Sequence, residues 1–188
     1  FDVNKHFTPP YNPWEQRLCL VPDGDLFNAI NDGKASVVTE HIDEFTNDGI
    51  KLKSGEELKA DIIVTATGLN MIVCSNISIT VDGMDLDISK SMTYKGMMIS
   101  HVPNAVFTFG YTNASWTLRS DLTSEYVCRL LNYMDNNGYK YCQPTPDGQI
   151  AIDCGCLVFS SGYVSRASEK FPRQGARDPW RNTQNYSK

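Results

Sequence analysis

The chain has 188 residues, of which 41% are hydrophobic and 21% are charged, as is typical of a globular domain. Its formal net charge of -5 argues against a nucleic-acid partner, because phosphates require a basic surface. Two uncharged stretches, 62–81 and 96–118, are too rich in Thr, Ser, Asn and Gly to span a membrane. No apolar signal core opens the chain, which begins with Phe1 rather than Met. We expect a cytoplasmic protein whose chain begins inside a longer one.

Six cysteines are scattered through the chain. Cys154 and Cys156 form a C-x-C pair, but no C-x-x-C spacing accompanies them. A disulfide scaffold would be shorter and denser in cysteine. We therefore expect reduced thiols and no metal site.

The first half of the chain is predicted to combine a short helix with several strands. Residues 1–14 are rich in proline and aromatic residues and indicate an extended connection. A helix is expected over 25–31, with Asp23 as its cap and Gly33 just past its end. Short strands are expected at 17–21, 35–39, 42–46 and 49–52. The continuous β-branched run in 61–65 predicts an interior strand of a parallel sheet.

The second half is predicted to hold two helices among irregular strands. Residues 73–88 indicate a strand region that turns at 81–84, and 102–109 indicate a strand that ends at Gly110. A weak helix is expected over 162–170. Apolar residues at helical spacing predict a helix over 121–134, whose inward side chains are Leu122, Tyr126, Leu130 and Met134.

Three segments have a composition suited to binding or catalysis, and each has a structural alternative. Residues 60–70 end a buried strand in small residues, which allows close backbone approach or simply tight packing. Residues 102–116 lead through a glycine loop into a helix, which suits an electron-rich ligand or a capped loop around one Trp. Arg17 follows an aromatic-proline loop, where it could bind an anion or stack on Trp14.

Matching runs in these three segments resemble the flavoprotein monooxygenases of the Baeyer–Villiger type. Ala66-Thr67-Gly68 is similar to the ATG motif that links the NADPH domain back to the FAD domain in that family. The runs 5–18 and 109–118 resemble the ethionamide-activating subgroup. The resemblance covers essentially the whole chain.

The resemblance implies an α/β fold with two Rossmann-like dinucleotide-binding domains and a β-meander. Residues 1–66 would end the NADPH-binding domain and include the linker, and residues 67–188 would be the C-terminal part of the FAD-binding domain. The implied activity uses NADPH to reduce FAD, which reacts with O2 to give a C4a-peroxyflavin. One oxygen atom then enters a ketone or is added to sulfur.

The resemblance also assigns roles to individual residues. Arg17 occupies the place of a catalytic arginine that stabilises the negative peroxyflavin and positions the nicotinamide. Gln16 stands where the family commonly has Lys, so a second positive charge for the NADP phosphate is missing. The implied cofactor-binding residues are Ala66, Thr67, Gly68, Gly110, Tyr111, Thr112, Asn113 and Trp116.

No G-x-G-x-x-G motif occurs in the sequence, although a dinucleotide fold needs that turn to hold the pyrophosphate. We therefore expect both fingerprints to lie upstream of Phe1, and the chain alone to be inactive and free of FAD and NADPH. It would expose surfaces that a homo-oligomer could cover. Two alternatives stay open: another two-domain FAD/NAD(P) oxidoreductase, and a non-catalytic stand-alone module.

Overall fold

The structure is a computed structural model that describes residues 1–13, 15–16, 18–112, 114–148 and 160–186, together with the backbone of 151–155. The chain divides into two compact units. The first comprises Phe1–Pro13 and Leu18–Gly68, and the second comprises residues 69–188 with Glu15 and Gln16. Within the described ranges, no helix is both long and apolar enough to cross a bilayer.

A three-stranded antiparallel meander dominates the first unit. Its strands are β1 (Ile42–Phe45), β2 (Gly49–Leu52) and β3 (Glu57–Lys59), in that order. Gly49 is required where β2 meets β3, since a Cβ at this position would overlap the carbonyl oxygen of Leu58. Two short helices precede the meander, α1 (Val3–Phe7) and α2 (Asp25–Asn31).

The helix predicted over 25–31 is confirmed, but its cap is not. Gly24, with a φ of 70°, stands at the N-cap, whereas Asp23 lies in the preceding 3-10 turn Pro22–Gly24. The extended connection predicted for 1–14 is wrong over α1, because the Asp2 side chain accepts a hydrogen bond from the Lys5 amide and starts a helical turn. The strands predicted over 17–21 and 35–39 are absent from the described residues of those ranges, where no neighbouring strand pairs with them.

The interior strand predicted over 61–65 is wrong. These residues belong to no strand, and the side chains of Ile62, Ile63 and Val64 are 81%, 39% and 82% exposed. A strand buried on both faces needs paired strands and covering layers. In the described part of the first unit, no strand pairs with residues 61–65, and Leu52 is the one buried apolar side chain.

The second unit contains short antiparallel strand pairs and two α-helices. Its strands are β4 (Thr80–Val81), β5 (Met84–Asp85), β6 (Thr93–Tyr94), β7 (Met98–Ile99), β8 (Ala151–Gly155) and β9 (Arg173–Gly175). They form three antiparallel pairs, and a parallel bridge joins Met92 to Arg173. The turn predicted at 81–84 is confirmed by the β4–β5 pair. Two further 3-10 turns are Val73–Asn76 and Ile88–Lys90.

The strand predicted over 102–109 is wrong, because this segment runs as a loop. Asn104 adopts a φ of 55°, which interrupts an extended backbone directly after Pro103. The backbone amides of this segment also donate to separate partners. The Phe107 amide donates to the Met97 carbonyl, and the Asn104 amide donates to the Cys142 carbonyl. A loop with scattered partners therefore leads into the long helix.

The long helix predicted over 121–134 is confirmed as part of α3 (Trp116–Asn137), which ends at Gly138. Met134 is buried, and Tyr126 and Leu130 are half-buried, as predicted. The inward placement of Leu122 is wrong, because its side chain is 40% exposed while neighbouring Thr123 is buried.

The helix predicted over 162–170 is confirmed as α4 (Gly162–Ala167), which continues into the 3-10 turn Ser168–Lys170. Its buried face forms a hydrophobic cluster of Val164, Ala167 and Phe171. Phe109 packs against this cluster, so α4 supports the loop that enters α3. The fold class is α/β with small antiparallel sheets, including a β-meander.

Candidate functional site

The loop that enters α3 is closely packed at Gly110. A Cβ at this position would overlap ring carbons of Trp116. The Trp116 ring also lies 5.0 Å from the Phe109 ring, between centroids. Glycine is therefore required where the loop passes over the first residue of α3.

The next residues are fixed by the C-terminal segment. The amide and hydroxyl of Thr112 donate to Oε1 of Gln184, at 2.9 and 3.2 Å. Nε2 of the Gln184 side chain is buried and has no partner among the described residues. An unsatisfied buried donor is costly, so Gln184 can offer Nε2 to an acceptor atom of a ligand.

The start of α3 offers further donors. Ser115 is the N-cap residue, but its side chain makes no capping hydrogen bond. Its hydroxyl instead contacts that of Thr117 at 2.6 Å. Among the described residues, no side chain caps the first amides of this 22-residue helix, and the helix dipole favours negative charge there.

Tyr111 and Arg119 connect this loop to the rest of the unit. Tyr111 is 3% exposed, and the Arg119 guanidinium lies over its ring, 5.1 Å from the centroid. The same guanidinium donates to the carbonyls of Lys95 and Thr183, at 2.8 and 3.1 Å. It also donates to Oδ1 of Asn182 at 2.9 Å. Arg119 thus joins α3 to the β6–β7 turn and to the C-terminal segment.

A pair of tyrosines lies beside this junction. The hydroxyls of Tyr94 and Tyr126 are 3.5 Å apart, and the Tyr94 ring meets Trp180 edge-on at 5.3 Å. Burial and the hydrogen bond with Tyr94 raise the pKa of Tyr126 to about 12. Tyr126 is therefore a neutral phenol at physiological pH.

The structure brings together four of the predicted cofactor-binding residues, Gly110, Tyr111, Thr112 and Trp116. Asn113, the predicted catalytic Arg17 and its neighbour Trp14 lie outside the described residues. The remaining predicted residues belong to the first unit and are exposed; they are Ala66, Thr67 and Gly68.

Two important residues of the site, Arg119 and Gln184, were not predicted from the sequence. Arg119 had a usable signal, because a cation in the first turns of a helix opposes the helix dipole and so calls for another role. Gln184 had none, since it lies in a polar tail without periodicity.

Metal ligands do not gather in the described ranges, where no group of three or more His, Cys, Asp or Glu could hold a metal ion. The cysteines described there as free thiols are Cys19, Cys74, Cys128 and Cys142. The buried Nε2 of Gln184 and the first amides of α3 are donors that could bind acceptor atoms of an electron-rich group.

No family model and no solved structure matches the chain. Curated relatives do. The chain is 56% identical over 186 residues to the FAD-containing monooxygenase EthA of Mycolicibacterium smegmatis, covering 99% of the chain. It is 55% identical to EthA of Mycobacterium tuberculosis over the same share. It is 52% identical to the probable FAD-binding monooxygenase AlmA of Acinetobacter baylyi over 183 residues, or 97% of the chain.

The chain spans 38% of the length of the EthA proteins and 37% of that of AlmA. The match extends over nearly every residue of the chain, and the names of these relatives agree on the flavin and the reaction class. The chain is therefore homologous to a part of these FAD-containing monooxygenases.

Proposed function

We propose that the chain forms part of an FAD- and NADPH-dependent monooxygenase that inserts one oxygen atom from O2 into ketones or adds it to sulfur. The observation that carries this proposal is the identity of 55–56% with EthA proteins over 99% of the chain. At that level of identity the same site chemistry is expected.

The two compact units suggest that the chain contains parts of two domains. We assign residues 1–66 to the end of the NADPH-binding domain and its linker, and residues 67–188 to the FAD-binding domain. The position of the break between the units, after Gly68, supports this assignment. Both domains would be of the Rossmann type.

Residues at the start of α3 would hold the flavin. Gln184 would donate from Nε2 to an acceptor on the ring, while Thr112 keeps the amide oriented through Oε1. The uncapped amides of α3 would favour negative charge on that ring. When bound, FAD supplies the transfer of electrons from NADPH to O2.

The Ala66-Thr67-Gly68 segment would let backbone pass close to the cofactor. Gly68 has a φ of 93°, which disfavours any residue with a side chain, and no atom lies within 4 Å of a Cβ built there. A glycine with open space where a Cβ would lie leaves room for a ligand to approach the backbone.

Arg17 would stabilise the negative charge that develops during oxygen transfer and position the nicotinamide. A guanidinium is always charged and offers a planar set of donors. Gln16 is neutral, so Arg17 would act without a neighbouring cation at that position.

The apolar run from Ile62 to Val64 would be covered in the enzyme. These side chains are exposed here, although a continuous β-branched segment is typical of a strand buried between layers. In the whole protein, residues outside this chain would cover these side chains.

The test is to purify the enzyme that contains this chain and to measure its FAD content and NADPH-dependent O2 uptake. With a thioether or a cyclic ketone, we expect one sulfoxide or ester formed for each NADPH oxidised. The 188-residue chain alone should be colourless, because its sequence lacks a G-x-G-x-x-G motif. An enzyme without FAD, or a chain that alone binds stoichiometric FAD, would contradict the proposal.

A matched pair of variants tests the flavin site. Gln184→Leu should weaken FAD binding, because the buried donor is lost, whereas Gln143→Leu changes an exposed amide and should not. Equal FAD affinity in the two variants would remove Gln184 from the site.

A further inference from the structure

A cavity of about 450 Å³ lies between α3 and residues 178–185 of the C-terminal segment. Four cationic side chains and one carboxylate line it, namely Lys95, Arg119, Arg129, Arg181 and Asp178. The chain as a whole has 17 Lys and Arg against 22 Asp and Glu. The charge of the cavity lining is therefore opposite to that of the chain.

The turn that carries Lys95 is held in place by the backbone. The Lys95 amide donates to the Pro179 carbonyl at 2.7 Å, and Arg119 donates to the Lys95 carbonyl at 2.8 Å. Gly96 follows with a φ of 67°, where a Cβ would lie 2.9 Å from Oδ1 of Asn182. The ammonium group thus extends from a fixed turn.

Three of the cations have no ion-pair partner among the described residues. The hydrogen-bond acceptors of Arg119 are two carbonyls and an amide oxygen, all neutral. Nζ of Lys95 lies over the Tyr126 ring, 5.7 Å from its centroid. Throughout the described ranges, Lys95, Arg119 and Arg181 form no ion pair, whereas Arg129 pairs with Glu125.

We propose that this cavity binds the phosphate group of a small organic phosphate, with Lys95 and Arg181 as its charged contacts. Ammonium and guanidinium groups bind phosphate through charge-assisted hydrogen bonds. Several cations on one cavity favour a dianion over the single charge of a carboxylate.

The rest of the lining suits the organic part of such a ligand. Leu122 and Met97 line the same cavity and offer apolar surface. Its volume lies within the range of about 300–1,000 Å³ that is usual for small-molecule sites. Tyr126 also lines it, and this neutral phenol adds no negative charge that would repel phosphate.

The inference goes beyond the proposed flavin function and does not rest on it, because binding is measured with the flavin-free chain. The probe is phenyl phosphate, titrated calorimetrically into the 188-residue chain at low ionic strength. We expect saturable binding at one site. Inorganic phosphate should bind more weakly, because it has no apolar part, and benzoate should bind more weakly because it has a single charge.

The double variant Lys95→Gln/Arg181→Gln should weaken phenyl phosphate binding by about tenfold or more. The control Lys53→Gln/Lys59→Gln removes the same charge from two exposed lysines of the first unit and should leave binding unchanged. No saturable binding, equal weakening by both double variants, or tighter binding of benzoate would overturn the inference.

The swap Lys95→Arg/Arg181→Lys keeps both charges and covers the case in which the glutamine variant fails to fold. The swapped chain should still bind phenyl phosphate. Loss of binding in a folded swapped chain would also overturn the inference.

Discussion

The guanidinium of Arg119 lies 5.1 Å from the centre of the Tyr111 ring and joins three separate segments of the second unit. Its three hydrogen-bond acceptors are contributed by the β6–β7 turn and the C-terminal segment. The position of Tyr111 therefore depends on residues far from it in sequence.

Arg119→Gln should lower the free energy of unfolding by about 2 kcal/mol, because hydrogen bonds to a charged group contribute about 1.5–3 kcal/mol and partial exposure reduces that value. Arg129→Gln is the matched control. It removes an exposed ion pair with Glu125 and should cost less than about 0.5 kcal/mol. Denaturant unfolding measures both, and equal losses would contradict the role given to Arg119.

Local signals predicted part of this fold. The helices over 25–31, 121–134 and 162–170 follow from short-range spacing and turn residues, which any segment carries within itself. The strand expected over 61–65 fails because its burial depends on partner strands that the described residues do not supply. A buried strand is a non-local property, so its apolar run alone does not determine it.

The candidate site was likewise only partly predictable from local sequence signals. The glycine loop at Gly110 leading into a helix was visible from the sequence. The bond from Thr112 to Gln184 joins residues 72 positions apart, and no local pattern predicts which tail residue closes that contact.

Gly110→Ala should destabilise the chain by about 1–3 kcal/mol, as overpacking commonly does, because the new methyl group would overlap the Trp116 ring. Trp116→Leu in the same chain should recover part of this loss. The control is Gly33→Ala, at a site with no atom within 4 Å of a built Cβ, which Trp116→Leu should not rescue. A double-mutant cycle without coupling between positions 110 and 116 would contradict this packing.

Tyr126 should lose its phenolic proton at a higher pH than an ordinary tyrosine. Its pKa is raised from 10.0 to about 12, since burial and the bond with Tyr94 favour the protonated phenol in the folded state. This contribution to stability is complete below pH 10 and is lost as the pH rises through about 12. The alkaline absorbance change that the wild type shows and Tyr126→Phe lacks should therefore have its midpoint near pH 12.

The control is Tyr94→Phe, which removes the hydroxyl that contacts Tyr126. In the Tyr94→Phe background, the absorbance change lost on Tyr126→Phe should be centred at a lower pH, because one cause of the raised pKa of Tyr126 is gone. An unchanged midpoint would contradict the Tyr94–Tyr126 environment described here.

In the proposed enzyme, Arg17→Ala should leave FAD binding largely intact, because the upstream fingerprint would hold most of the cofactor. NADPH oxidation should slow, and oxygenated product should fall by about 100-fold, with hydrogen peroxide in its place. Arg17→Lys should rescue partly, because lysine keeps the charge but not the planar donor set.

Exposed Arg166 is the control residue, and Arg166→Ala should leave the product yield unchanged. The measurement compares NADPH consumed, peroxide and product in parallel for the wild type and the three variants. A wild-type product yield in Arg17→Ala would contradict the catalytic role proposed for Arg17.

The most direct test of the central claim is oxygen labelling of the product. The FAD-loaded enzyme that contains this chain is supplied with NADPH, isotopically heavy O2 and either a thioether or a cyclic ketone. The mass of the product is then measured by mass spectrometry. We predict that each product molecule carries one heavy oxygen atom and that product matches NADPH oxidised. NADPH oxidation that yields only peroxide or unlabelled product across both substrate classes would contradict a monooxygenase.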